Sequence, residues 1–268
     1  MIVNGTEIAS AIYAEIKQKL SGWAYSPRLV VFTCAPNAET RKFLELKRRR
    51  ANELGITVDV VELPPDIKES EAVATIETRS AAYDGVVVQL PFPAHLNPDS
   101  ILKAVPRERD LDVLDYRGEE TDILPPVIGA ISEISKKHEV TWTGKNVVVV
   151  GQGRLVGRPA AFWARAANAD VTVIDKNTLN AAAALRQADV IISGAGVPGL
   201  ITPDKIKEGA AIFDAGTSEE GGVLRGDADP ACAEKTSLFT PVPGGIGPIT
   251  IAVLLRNLVR SIEARSET

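Results

Sequence analysis

Short apolar runs alternate along this chain with longer stretches in which apolar residues recur every three or four positions. The runs read as strands buried on both faces, and the longer stretches as helices with one buried side. In the first half, Ile8, Ala9, Ile12, Ile16 and Leu20 predict a helix that Thr6 can cap, followed by a strand at Leu29-Val30-Val31-Phe32. A charged helix from Glu39 to Leu54 runs into Gly55, placed where helices end in the left-handed conformation. A strand over residues 56–61, a helix over 69–82 and a third strand, Gly85 to Leu90, come next; Pro91-Phe92-Pro93 stops that strand, and Asn97-Pro98 starts a short helix. Residues 106–125 carry charge without periodicity, and a helix through Val127, Ile128, Ile131 and Ile134 follows.

The second half repeats the alternation. Strands are expected at 146–150, 170–174, 189–192, 210–214 and 237–240, with helices between the first three. A final apolar helix from Ile249 to about Ala264 is expected to pack back on the first lobe, because it follows a completed fold. Strand–helix–strand units with connections this short imply parallel strands and right-handed crossovers. The fold class expected is two α/β lobes, the second a Rossmann-like doubly wound parallel sheet, with a cleft between them. We place the first domain at residues 1–125 plus 245–268 and the second at 126–244.

Four valines, Val147 to Val150, lead directly into Gly151-Gln152-Gly153-Arg154-Leu155-Val156-Gly157. Glycine at 151, 153 and 157 suits a tight turn, a backbone bare enough to touch a pyrophosphate, and close helix-on-strand packing. The following helix would turn its free N–H groups toward that phosphate. The spacing G-x-G-x-x-x-G is a weak signal alone; the strand before and the helix after strengthen it into a dinucleotide site. Asp175, at the tip of the next strand, is positioned to bind adenosine ribose hydroxyls and to repel a 2′-phosphate, although a turn aspartate is the plainer reading.

Composition narrows the class further. Of 268 residues, 45% are apolar and 24% charged, as in globular proteins, and the net charge is −5. The basic run Lys47-Arg48-Arg49-Arg50 fits one face of a charged helix better than a nucleic-acid patch, so no nucleic-acid partner is expected. Two cysteines and two histidines, without ligand spacing, make neither a disulfide framework nor a metal site. No apolar run approaches the ~20 residues of a membrane span, and the N-terminus lacks the pattern of a signal peptide. A cytoplasmic location is expected.

Several residues could do chemistry. Lys47 lies on the charged helix with Phe43 one turn earlier on the same face, a place where lysine is usually just solvated. Gln89 ends a buried strand, where ligands of open α/β sheets collect. Asp112 sits in the loop between the lobes, with Asp110 and Asp115 beside it. Ser193 to Gly199 and Asp214-Ala215-Gly216-Thr217 are glycine-bearing strand ends that suit a ribose or nicotinamide, or ordinary turns.

Together these segments resemble the methylenetetrahydrofolate dehydrogenase/cyclohydrolase family over nearly the whole chain. The matching stretches are Asn4-Gly5 through Ile12, Lys47 to Gly55, Val88-Gln89-Leu90-Pro91-Phe92-Pro93, Arg109-Asp110-Leu111-Asp112-Val113, Gly151 to Pro159 and, most specific, Pro241 to Thr250. The resemblance implies NAD(P)-dependent oxidation of 5,10-methylenetetrahydrofolate to the methenyl form, often followed by hydrolysis to 10-formyltetrahydrofolate. It implies that Lys47 is the catalytic lysine, that Gln89 orients it and that Asp112 anchors the pterin. Phe43, Pro243, Gly244 and Gly245 then fall to the folate, and Gly151, Gln152, Gly153, Lys176 and Thr217 to the cofactor. A homodimer is implied by family analogy.

The chain also departs from the family pattern. Phe43 stands where the family has tyrosine, which removes a hydroxyl beside Lys47 and bears on the hydrolysis half. Val113 replaces a glycine, and Gln152 and Gly153 replace the Arg and Ser that suit a 2′-phosphate. With Asp175 this charge logic leans toward NAD, whereas Lys176 and the family habit point to NADP. Two other readings stay open: another two-domain NAD(P) dehydrogenase, and a catalytically silent folate- or dinucleotide-binding paralogue.

Overall fold

A computed structural model describes residues 1–121 and 123–266, with every side chain except those of Glu39 and Glu220. Asp122, inside the aperiodic stretch, and Glu267 and Thr268, at the end of the C-terminal segment, lie outside the described residues. The chain divides into two compact units, residues 12–114 with 254–268 and residues 1–11 with 115–253. The division falls inside the first and last helices.

The unit holding residues 12–114 is built on three parallel strands. Helix α1 (Gly5–Leu20) leads to β1 (Arg28–Cys34), then α2 (Ala38–Glu53), β2 (Thr57–Leu63), α3 (Glu69–Ser80), β3 (Gly85–Val88) and α4 (Pro98–Lys103). The strand order is β2-β1-β3, so the chain steps to one side of β1 and then crosses to the other. Both outer strands pair with β1 in parallel. On one face Val30, Phe32, Val86 and Val88 pack with Ala72 and Ile76 of α3 and Ile101 of α4, which explains the unbroken apolar runs. Helix α2 is capped by Asn37, whose side chain accepts from the Thr40 N–H at 2.8 Å, and Gly55 after it has φ +76°. Asn97 caps α4 as its sequence predicts. The first helix is different: Asn4 accepts from the Glu7 N–H at 3.3 Å and the helix begins at Gly5, so Asn4 rather than Thr6 caps it.

The other unit carries α5 (Pro126–Lys137), β4 (Asn146–Val150), α6 (Gly157–Ala166), β5 (Asp170–Ile174), α7 (Ala181–Gln187), β6 (Val190–Ser193), β7 (Ala211–Asp214), β8 (Ser218–Glu220), β9 (Val223–Arg225) and β10 (Leu238–Phe239). Its main sheet is parallel, in the order β10-β7-β6-β4-β5. The chain goes outward from β4 to β5, then returns past β4 to build β6, β7 and β10. That reversal is the switch point at which open α/β sheets bind ligands, outside the carboxyl ends of the strands. The β8–β9 hairpin turns on Gly221 and Gly222, with φ +60° and +82°. That glycine pair is a hairpin signal lying plainly in the sequence, though no hairpin is expected there from the strand pattern.

Helix α8 (Ile246–Ser266) begins three residues before its expected start. Its later part belongs to the unit of residues 12–114, where Asn257 Nδ2 donates to the Leu111 carbonyl at 3.0 Å and Ser261 Oγ to the Glu108 carbonyl at 2.7 Å.

Candidate active site and dinucleotide turn

The candidates fall into two groups, one in each unit. Lys47, on α2, is buried to 6% exposure although the residues after it, Arg48 and Arg49, are exposed. Lys47 Nζ donates to Gln89 Oε1 at 2.9 Å, and Gln89 Nε2 donates to the neighbouring Leu90 carbonyl at 3.1 Å. The second bond orients the amide, since its NH2 is committed to a carbonyl and its oxygen is left for the lysine. Gln89 continues β3 past its last paired residue, its N–H bonding the Phe32 carbonyl at 2.8 Å. The Phe43 ring centroid lies 4.9 Å from Nζ, within range of a cation–π contact. Burial pulls the Lys47 pKa below its ordinary value, and the Asp112 carboxylate acts the other way. Burial likewise raises the pKa of Asp112, opposed by Lys47. Gln89, Phe43 and Asp112 thus all lie within interaction range of Lys47.

How Asp112 is held is not evident from sequence. Asp110 accepts the N–H groups of Asp112 and Val113 on Oδ1, at 3.0 and 3.2 Å, and that of Leu114 on Oδ2 at 3.0 Å. This carboxylate is the pin around which the loop turns. Val113 takes φ +50° there, a conformation that suits the glycine of the family pattern and strains a β-branched side chain. The loop is tied to the sheet by the Leu111 N–H, which bonds the Val86 carbonyl at 3.2 Å. Leu111 is fully buried against Gly85; a Cβ on that glycine would lie 2.6 Å from the leucine side chain. Asp110 has its pKa pushed up to about 7, by burial first and by Asp112 second, against the pull of its backbone donors.

In the other unit, Gly151 ends β4 with φ +95°, and a Cβ on Gly157 would stand 2.1 Å from the Gly151 carbonyl oxygen. Those two glycines are demanded by the turn itself. Gly153 is not: a Cβ there would meet nothing nearer than 3.9 Å, and the residue is exposed. A bare, exposed backbone that packing does not require, ahead of the ten-residue helix α6, fits a phosphate-bearing cofactor. Gln152 Nε2 donates to Asp175 Oδ2 at 2.7 Å, joining the turn to the tip of β5. The Asn177 N–H is the main cause holding the Asp175 carboxyl below its usual range. Lys176 is exposed in the following turn. Thr217 is exposed too, its carbonyl oxygen 3.6 Å from where a Cβ on Gly196 would lie.

Pro243, Gly244 and Gly245 form a loop against the N-terminal segment. The Gly5 N–H bonds the Gly244 carbonyl at 2.9 Å, and a Cβ on Gly5 would fall 1.8 Å from the Gly245 carbonyl oxygen. This close approach leaves no room for a side chain at position 5. Among the described residues, no group of three His, Cys, Asp or Glu could hold a metal ion, and no helix is long and apolar enough to cross a membrane.

Comparison with known proteins finds matches over both halves of the chain. The family model described as tetrahydrofolate dehydrogenase/cyclohydrolase, catalytic domain, matches residues 3–112, and that of the NAD(P)-binding domain matches residues 125–266. The bifunctional protein FolD of Exiguobacterium sibiricum is 33% identical over 274 residues, covering 97% of this chain and 99% of its own. The crystal structure of the bifunctional enzyme FolD from Campylobacter jejuni superposes with a TM-score of 0.93 at 33% identity, covering 99% of both chains. That of Trypanosoma brucei FolD, complexed with NADP cofactor and inhibitor, does so with 0.92 at 30% identity, covering 100% of this chain and 99% of that one. With a buried lysine on its glutamine, a glycine turn shaped for a dinucleotide, and matches spanning both halves, the chain belongs to the tetrahydrofolate dehydrogenase/cyclohydrolase family.

Proposed function

We propose that this protein oxidises 5,10-methylenetetrahydrofolate to 5,10-methenyltetrahydrofolate with a nicotinamide dinucleotide, and that Lys47, Gln89 and Asp112 form its reaction centre. When bound, the dinucleotide supplies the hydride acceptor. The protein's part in that step is alignment, because hydride transfer needs two rings held in register and little proton movement. Gly151, Gln152, Gly153, Asp175, Lys176 and Thr217 hold the dinucleotide; Phe43, Pro243, Gly244 and Gly245 hold the folate, and Asp112 accepts from the pterin. In domain terms, residues 1–125 and 245–268 serve the folate and 126–244 the dinucleotide.

The observation carrying this reading is the buried Lys47–Gln89 bond beside Asp112. A lysine whose pKa is lowered by burial exchanges protons more readily at neutral pH. Opening the methenyl ring by water requires such exchange, since the water gives up both its protons on becoming the formyl oxygen, one reaching the departing nitrogen and the other being released. Hydrolysis to 10-formyltetrahydrofolate is therefore within the reach of this site, and Phe43 limits it by offering a ring where a hydroxyl would donate or accept. Substituting Lys47→Ala and Lys47→Arg tests the assignment. Both are expected to abolish methenyl hydrolysis, the second because arginine keeps its proton; hydrolysis at the parental rate in either would show that Lys47 is not the group.

The finer choice of cofactor follows from charge. Asp175 places a carboxylate at the tip of β5 and Gln152 brings no positive charge to meet a 2′-phosphate, so we assign a preference for NAD over NADP, with Lys176 opposing it. The working form is taken to be a homodimer in the cytoplasm, supported by family resemblance.

A further inference from the structure

Asp227 has no part in the site described above, yet it is fully buried and its carboxylate receives three donors from another segment. Its Oδ2 accepts from Ser193 Oγ at 2.5 Å and from the Ala195 N–H at 2.7 Å, while Oδ1 accepts from the Val197 N–H at 2.7 Å. All three donors lie at or just beyond the end of β6. Asp227 is itself held in place: its own carbonyl accepts from the Ile201 N–H at 3.0 Å. The next residue, Ala228, gives its N–H to Asp214 Oδ2 at 2.8 Å, at the end of β7. Gly216 backs directly onto the carboxylate, for a Cβ there would stand 2.1 Å from Asp227 Cγ.

The segment so gripped adjoins the dinucleotide turn. The Gly194 carbonyl oxygen is 3.1 Å from where a Cβ on Gly151 would lie, and a Cβ on Gly194 would meet Val156 at 2.5 Å. Gly196 sits beside the Thr217 carbonyl. Residues 194–197 thus stand between the glycine turn after β4 and the strand end after β7, and one buried carboxylate sets their height.

We infer that Asp227 is a positioning residue for dinucleotide binding, acting through residues 193–197 as a rigid wall of the cofactor site. A carboxylate is needed because three donors converge on two oxygens. An amide would turn an NH2 against at least one of them and break that bond, loosening the grip on the segment. This rests on the reading of the glycine turn as a dinucleotide site.

Asp227→Asn and Ser193→Ala, in the full-length protein, test the inference by calorimetric titration with NAD and with NADP, alongside steady-state kinetics. Asp227→Asn is expected to weaken the preferred dinucleotide about tenfold, and Ser193→Ala, which removes one hydroxyl, about threefold. The KM for the folate should stay within about twofold in both. General loss of structure would instead lower kcat through fewer active molecules and leave both KM values unchanged. A dinucleotide affinity unchanged in a cooperatively folding Asp227→Asn overturns the inference, as does equal weakening toward both substrates. If Asp227→Asn does not fold, Ser193→Ala decides, and an unchanged affinity there overturns it. Absence of binding to either nucleotide by the parental protein would overturn the dinucleotide reading first and this inference with it.

Discussion

At the scale of single residues, the proposed reaction centre rests on side chains whose surroundings oppose their charge. Lys47 is a lysine in a run of four basic residues, and its burial and its bond to Gln89 set it apart from the exposed Arg48 and Arg49. Phe43 leaves the lysine a ring and no hydroxyl. Phe43→Tyr should therefore raise the rate of methenyl hydrolysis several-fold while changing the dehydrogenase rate less; no gain, measured as loss of methenyl absorbance, would retire the missing hydroxyl as the limitation. Asp110 makes a separate prediction. Its folded pKa of about 7 lies above the ordinary 3.8, so between these values the folded state holds a proton that the unfolded state releases. Stability contributed by this group is greatest below pH 4 and falls as pH rises to about 7. Asp214, raised to about 6, acts in the same direction. Urea midpoints of Asp110→Asn between pH 4.5 and 7.5 should thus vary less with pH than those of the parental protein. Parallel pH dependences would contradict the assignment of this titration to Asp110.

At the scale of elements, strands β1, β3, β4, β6 and β7 are legible because they are buried on both faces, which writes them as continuous apolar runs, whereas the edge strands β2 and β5 keep exposed positions. The Val147–Val150 run and its glycine turn, the cap at Asn97 and the left-handed Gly55 follow from local chemistry alone. The contacts that hold the two sites are different in kind. Asp227 meets Ser193 across 34 positions of chain and Leu111 meets Asn257 across 146, and no periodicity encodes such pairs. Helix α8 starts three residues ahead of its apolar pattern: Ile246-Gly247-Pro248 looks like a loop, although Pro248 falls in the first helical turn, where a missing N–H costs nothing. Gly5 illustrates a motif legible as a pattern and explained only by structure. Gly5→Ala must displace the backbone at Gly244 and Gly245, so it should destabilise by about 1–3 kcal/mol, as overpacking does. Gly247→Ala, which meets nothing within 4 Å, is the control and should be neutral or slightly stabilising. Equal melting temperatures for Gly5→Ala and the parental protein would refute the close approach.

For the whole molecule, two chemistries are carried by separate compact units: a buried lysine with its glutamine and aspartate in one, and a dinucleotide turn in the other. Neither suffices alone, since a desolvated lysine is no oxidant and a glycine turn has no substrate. The most direct test of their union is to supply the purified protein with 5,10-methylenetetrahydrofolate and either NAD or NADP and to follow reduced nucleotide by its absorbance. The account predicts that reduced nucleotide forms only when folate is present, and that kcat/KM is higher with NAD than with NADP. A higher kcat/KM with NADP would overturn the part played by Asp175 and Gln152. No reduced nucleotide with either cofactor would contradict the dehydrogenase itself.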